Sequence, residues 1–320
     1  MAQVVTVFGG SGFVGKQVVR ALAKQGWRIR VAVRNPTIAY DLKPMGDVGQ
    51  IQVVRCDVRK EAEIAKALEG ASACVNLVGI LFQTMGQSFD VLHRQASALM
   101  AQVCAEKGIT DFVQISALGA NAKAASKYSA SKGAAEMAVR KAVPTAIILR
   151  PGIVFGPQDG FFTALANQVK LFPIMPAIGG GTTKFQPVYV GDVSAAVAKV
   201  LGNATLYGQT FELGGPEVFT FNDLIKYVGT EIMRPRPLVW MPFVFARAIG
   251  IAGDIQALLT PLVPAPILTT DQVILLASDN VVTPGAKGLK DLGIAATAVE
   301  SIVPTYLWRF RKNGQFAVAA

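Results

Sequence analysis

Tyr128 and Lys132 stand four residues apart in "KYSASKGAAE". Four residues is one helical turn, so on a helix the phenol and the ammonium share a face. A phenol with its ordinary pKa of ~10 is a poor acid or base near neutrality, and a neighbouring cation lowers that value by stabilising the phenolate. Upstream, Ser116 sits near the end of the apolar run "DFVQISA", where its hydroxyl can hydrogen-bond a reacting carbonyl or alcohol. A tyrosine and a lysine at this spacing are common on helix surfaces. Ser116, Tyr128 and Lys132 become a candidate catalytic set only through what precedes them in the chain.

What precedes them is a phosphate cradle. In "VVTVFGGSGFVGKQVV" the glycines at 9, 10, 12 and 15 lie between a β-branched run and a stretch of helical periodicity. They satisfy both G-x-G-x-x-G and G-x-x-G-x-x-G. Such a turn lets the backbone approach a pyrophosphate at a helix N-terminus, where free N–H groups and the helix dipole favour negative charge. Strand, turn, helix and second strand follow in order, so Gly9, Ser11, Gly12, Phe13, Val14 and Gly15 are read as cofactor-binding. At the end of the second strand, where an acidic residue would take a ribose 2′-hydroxyl, stands Arg34. A guanidinium suits a 2′-phosphate, which favours NADP(H) over NAD(H).

The elements that must position these residues alternate along the chain. Strands are expected over 4–8, 28–34, 51–58, 73–81, 111–117 and 145–154, with helices over 15–26, 61–69, 89–107 and around Tyr128. Nearly continuous apolar strands alternating with helices predict an α/β fold, a Rossmann-type doubly wound parallel sheet with a smaller, mixed C-terminal lobe. The boundaries expected are 1–155 for the dinucleotide-binding domain, with 188–215 returning to it, and 156–187 plus 216–320 for the lobe. Within 188–215 a helix beginning near Asp192 and a strand over 209–215 are expected.

Net charge is +10, and it is uneven: 19 Lys/Arg against 10 Asp/Glu in residues 1–150, 12 against 11 thereafter. The basic half matches an anionic ligand or an acidic surface. No basic run with interleaved aromatics is present, which argues against nucleic acid. Three widely spaced cysteines (56, 74 and 104) suit neither a disulfide framework nor a zinc site, and no metal is expected. The N-terminal residues do not read as a signal peptide, so a cytoplasmic protein is expected. The apolar stretch 238–268 is interrupted by Arg247, Asp254, Gln256 and prolines, which suits lying on a membrane and not crossing it.

Taken together, "GGSGFVG", "CDV", "NLVG", Ser116, "YSASK" and "RPGIVFGP" resemble the short-chain dehydrogenase/reductase superfamily in its extended or atypical branch. With "VNLVGIL", "KFQPVYVGDVSAAV", "LTTDQVILLASDNVV" and "VPTYLWRFR", the chain is most similar there to the 39-kDa accessory-subunit family of respiratory complex I and its bacterial homologues. The resemblance implies Asp57 and Val58 at an adenine, and Leu77, Val78, Gly79, Pro151 and Ile153 along the remainder of a dinucleotide. It also implies bound NADPH, complex I subunits as partners and a peripheral place on the inner, cytoplasmic membrane; contact with lipid is one reading of the apolar stretch 238–268 and of "WRFRKNGQF", the other being a pocket wall and a solvated tail.

Where active members of the superfamily carry a relay asparagine, this chain places the neighbourhood of His93, its only histidine. Two readings of His93 stay open, a relay group and a buried structural residue. Two readings of function stay open as well. One is a scaffold that holds NADPH within complex I. The other is an NADP-dependent reductase, dehydrogenase or epimerase acting on an apolar carbonyl or alcohol, such as a quinone or lipid precursor.

Overall fold

A computed structural model of the chain describes residues 3–259 and 266–317. Its first elements are β1 (Val4–Phe8), α1 (Phe13–Lys24), β2 (Arg28–Val33), β3 (Ile51–Arg55), α2 (Glu61–Ala67) and β4 (Ala73–Asn76). There follow α3 (Ala96–Glu106), β5 (Asp111–Ile115), α4 (Lys127–Ala142) and β6 (Ile147–Pro151). Next come β7 (Val154–Phe155), α5 (Phe161–Leu171), β8 (Met175–Ile178), β9 (Lys184–Phe185), β10 (Val188–Tyr189), α6 (Val190–Val200) and β11 (Thr210–Leu213). The chain continues through β12 (Phe219–Thr220), α7 (Phe221–Glu231), β13 (Leu238–Met241), α8 (Phe243–Leu258) and α9 (Thr270–Leu275).

The chain forms two compact units. The first comprises residues 1–151, 191–213 and 285–294; the second comprises 152–190, 214–284 and 295–320. A seven-stranded sheet in the order β11-β6-β5-β4-β1-β2-β3 runs through the first, every pairing parallel. The order reverses between β1 and β4, which opens a crevice beyond the strand ends, the place where doubly wound sheets bind ligands. The expected Rossmann-type sheet is therefore what the chain forms. Beneath it lies a core of buried side chains from both strands and helices, among them Phe8, Leu68, Met100, Phe112 and Ile148.

Several strands end earlier than their apolar runs predict, and local polar groups explain where. After β4, the Asn76 side chain accepts the N–H of Val78 at 3.0 Å, turning the backbone out of the ladder. After β3, Glu63 takes the N–H of Asp57 and Asp57 takes that of Arg59. The helix expected over 89–107 opens as a π-helical turn, Asp90–Gln95, before α3.

The second unit has its own core around Phe155, Phe162, Phe185, Leu224 and Leu307. Within it α8 inverts the usual pattern of a surface helix. Its inward positions are small (Ala246, Gly250, Gly253 and Ala257), and at Gly250 and Gly253 an added Cβ would strike the backbone of residues 268–270. Its bulky residues face out: Val244 is 75% exposed, Phe245 65% and Ile255 60%, near Trp240 of β13 at 69%. Residues 260–265 of the apolar segment lie outside the described residues. Among the described residues no helix is long and apolar enough to cross a membrane.

Candidate dinucleotide-binding site

The glycine turn is built by close approach. Gly9 has φ +79°, and the Gly12 N–H donates to its carbonyl at 3.1 Å. Gly12 then caps α1, with the Lys16 N–H donating to its carbonyl at 2.9 Å. At Gly15 a Cβ would collide with the Gly9 carbonyl and stand 2.6 Å from Gly10 backbone, so α1 can pack on the turn only without a side chain there. A Cβ on Gly9 would stand 3.2 Å from the backbone of Leu77 and Val78. The turn after β1 and the loop after β4 thus meet at the reversal of strand order. Ser11, Phe13 and Val14 flank the turn, half-buried, in the manner of a cradle with open backbone donors.

Arg34 follows β2 directly, is exposed, and has no hydrogen bond or ion pair among the described residues. Asp57 differs: Arg59 grips its carboxylate through Nε (2.9 and 3.1 Å) and a terminal nitrogen (2.6 Å), which holds it at about 2. Val58 beside it is buried. Pro151 closes β6 in the first unit, and Ile153 lies two residues on, in the second.

Ser126 caps α4, its hydroxyl accepting the Ser129 N–H at 3.2 Å. That start sets Tyr128 and Lys132 on the helical turns beside the strand ends. Lys132 is buried and its Nζ donates to the Ile115 carbonyl at 3.4 Å, placing the amine beside the peptide that leads into Ser116. A Cβ on Gly79 would stand 3.2 Å from that same Nζ, so the loop after β4 passes over it. Desolvation brings Lys132 down to about 8, against a countervailing pull from Glu136. Ser116 is buried, and its hydroxyl has no hydrogen-bond partner among the described residues.

One expectation needs correction. Lys132 was to lower the phenol of Tyr128, yet burial pushes that phenol up to about 12. The Lys132 amine donates to the Ile115 carbonyl and lies 6.0 Å from the centre of the tyrosine ring, and loss of water on burial is what raises the phenol.

Sequence reasoning missed the polar scaffold behind these groups. Asn76, fully buried, donates to Ser97 and Gln114 at 2.9 Å each, and Gln114 donates to the Ile115 carbonyl at 3.1 Å. One turn further along α4, Arg150 reaches both oxygens of Glu136 (2.9 and 2.7 Å) and one of Glu212 at 3.3 Å. Glu136 at four residues from Lys132 is the one signal the sequence offered for this cluster. His93 is buried and neutral, pushed down to about 3 by desolvation and by Lys132. Of its two readings, the structure gives it a buried structural place.

Residues 5–214 match the NAD dependent epimerase/dehydratase family, strand–cradle–helix and the Tyr/Lys helix included. The chain belongs to the NAD dependent epimerase/dehydratase family. It is 36% identical over 316 residues to the NADH dehydrogenase (ubiquinone) 1 alpha subcomplex subunit 9 of Arabidopsis thaliana, covering 97% of this chain and 79% of that one. It is 30% identical over 233 residues to the ceramide reductase of Caulobacter vibrioides, 72% of this chain and 68% of that one. Among solved structures, the NADPH-dependent quinone oxidoreductase QOR2 of Escherichia coli superposes with a TM-score of 0.73 at 20% identity, over 93% and 98% of the two chains. This family membership agrees with the resemblance carried by "GGSGFVG" and "YSASK", and the full-length match agrees with the complex I subunit family named from the sequence.

Proposed function

We propose that the chain holds a nicotinamide dinucleotide, NADP(H) in preference to NAD(H), and serves as an accessory or assembly subunit associated with respiratory complex I. The observation that carries this reading is the identity to a protein named as a subunit of NADH dehydrogenase across 97% of this chain, the cradle included. The residues fit the nucleotide: the cradle excludes any Cβ at Gly15, and the buried Ser116 hydroxyl waits for a partner. In this reading Gly9 to Gly15 receive the pyrophosphate and Arg34 the 2′-phosphate. Asp57 and Val58 flank the adenine, Leu77, Val78 and Gly79 support the middle, and Lys132 holds the nicotinamide ribose with Tyr128 and Pro151 nearby. The test is purification under native conditions, denaturation, and mass spectrometry of what is released. NADP(H) near one per chain is expected; NAD(H) alone refutes the preference, and an empty protein that binds neither refutes the site.

The outward apolar face of α8 with Trp240 supports attachment at the cytoplasmic side of the inner membrane, through a membrane-embedded subunit and adjoining lipid. Respiratory-chain subunits should co-purify at moderate salt, and fail to do so when Trp240 and Phe245 are both changed to serine. If they never co-purify with the natural protein, the assembly role is wrong.

The unpartnered Ser116 hydroxyl favours a second reading, a reductase for an apolar carbonyl such as a quinone or lipid precursor. A bound nicotinamide would supply the hydride, while Ser116 would orient the carbonyl and Tyr128 would hold the proton at its hydroxyl. NADPH-loaded protein mixed with quinones, ketones and long-chain oxo-lipids should then consume NADPH, and Tyr128→Phe should abolish it. No oxidation across such a panel leaves the scaffold role alone.

A further inference from the structure

His93 sits where three parts of the site converge. It lies on the π-helical turn Asp90–Gln95, a conformation that accounts for well under 1% of residues and recurs at functional positions. Its Nε2 accepts the backbone N–H of Ile80 at 3.0 Å, and its Nδ1 is 2.8 Å from the Ser131 hydroxyl. Ser131 in turn donates to the Tyr128 carbonyl at 2.7 Å. These contacts admit one proton arrangement. Nε2 faces a donor and so is bare; Nδ1 carries the proton and gives it to Ser131, whose own hydrogen goes to Tyr128. The chain of bonds runs from the loop after β4, through the π turn, to the helical turn that bears the tyrosine.

The ring is also clamped by packing. Phe89 stacks on it at 5.4 Å between centres, and Tyr128 meets it edge-on at 5.5 Å. A Cβ on Gly79 would lie 3.7 Å from its Nε2 as well as 3.2 Å from the Lys132 amine. Within the π turn His93 and Leu92 are the buried residues.

Building on the dinucleotide reading, we infer that His93 is a positioning residue for the nicotinamide half of the ligand, tying the Leu77–Ile80 loop to the Tyr128–Lys132 turn. It touches neither nucleotide nor substrate and acts through the groups it fixes. The adenine half, gripped at the cradle and Arg34, is independent of it.

The experiment measures two affinities by titration calorimetry, for NADPH and for 2′-phospho-ADP-ribose, which lacks the nicotinamide. His93→Leu removes both bonds, and about a tenfold or greater loss for NADPH is expected with the truncated ligand unchanged. His93→Gln, whose amide oxygen can still accept from Ile80, should recover most of that affinity. Ser131→Ala breaks the far end of the chain and should weaken NADPH alone, by less than His93→Leu. A loss equal for both ligands, or no loss for either, overturns the positioning role. If the natural protein binds 2′-phospho-ADP-ribose and NADPH equally, no nicotinamide contact exists and the inference falls while the cradle stands. If it binds neither, the dinucleotide reading itself has failed. Should His93→Leu not fold, the comparison rests on His93→Gln and Ser131→Ala, and both must separate the two ligands.

Discussion

At the scale of single residues, the proposed preference for NADP(H) rests on one side chain, Arg34. It stands free beside the end of β2, so a charge change there acts on the ligand without breaking a fold contact. Arg34→Asp should weaken NADPH by at least about tenfold and improve NADH, read as the ratio of dissociation constants. An equal loss of both would refute the role. His93 carries a pH signature of its own. Its folded value, about 3, lies below the ordinary ~6.5. Between those values the unfolded chain binds more protons, so the stability it contributes is complete above pH 6.5 and drains as pH falls toward 3. Relative to His93→Gln, the natural protein should lose about 2 kcal/mol between pH 7 and pH 5, at about 1.4 kcal/mol per pH unit below 6.5. Urea unfolding of both at each pH checks it. The histidine was visible in the sequence as the only one of its kind; its partners were not, because Ile80, Ser131 and Tyr128 meet through the fold and share no local pattern.

At the scale of elements, the cradle and the Tyr/Lys helix were legible because their signals are local: glycines between a strand and a helix, and a four-residue spacing. Their exact neighbours were not. The loop between Ser116 and α4 is held against the helix at Gly133, where a Cβ would collide with the Ala122 nitrogen and stand 2.5 Å from Asn121 backbone. Gly133→Ala must displace that loop from the turn after Lys132. It should cost about 1–3 kcal/mol in urea unfolding, and nucleotide affinity should fall with it; an unaltered midpoint would mean that the loop shifts freely. The π turn at 90–95 was read as ordinary helix, since six residues are too few for its period to be told from 3.6. Strand ends were misread for a different reason. Apolar composition continues past Asn76 and Arg55, while the side-chain hydrogen bonds that divert the backbone depend on Asn76 and Glu63 finding particular N–H groups.

At the scale of the whole molecule, the sequence conveyed the class of the sheet through alternation alone, and the positive charge through its concentration in the first 150 residues. It did not convey that residues 285–294 come back to the first unit, because the stretch is short and its two buried side chains, Leu289 and Leu292, carry no strand or long-helix period. There the Lys287 carbonyl accepts the Glu212 N–H at 2.8 Å, beside β11, which is itself paired along β6. Residues 1–151 expressed alone contain the whole cradle and the Tyr/Lys helix, yet they leave β6 an open edge. Such a fragment should self-associate on size-exclusion chromatography and be rescued by adding β11 and the returning segment; a monomeric, cooperatively unfolding fragment would contradict this.

The return of the chain also sets a timetable for birth on the ribosome. From the end of β6 at residue 151 to the end of β11 at residue 213 there are 62 residues, which take roughly 3 to 12 seconds to synthesise at about 5–20 residues per second. For that interval the nascent sheet has one flank bare, so a chaperone that shelters strand edges, or early capture of a nucleotide by the finished cradle, would decide how much of each newly made chain survives.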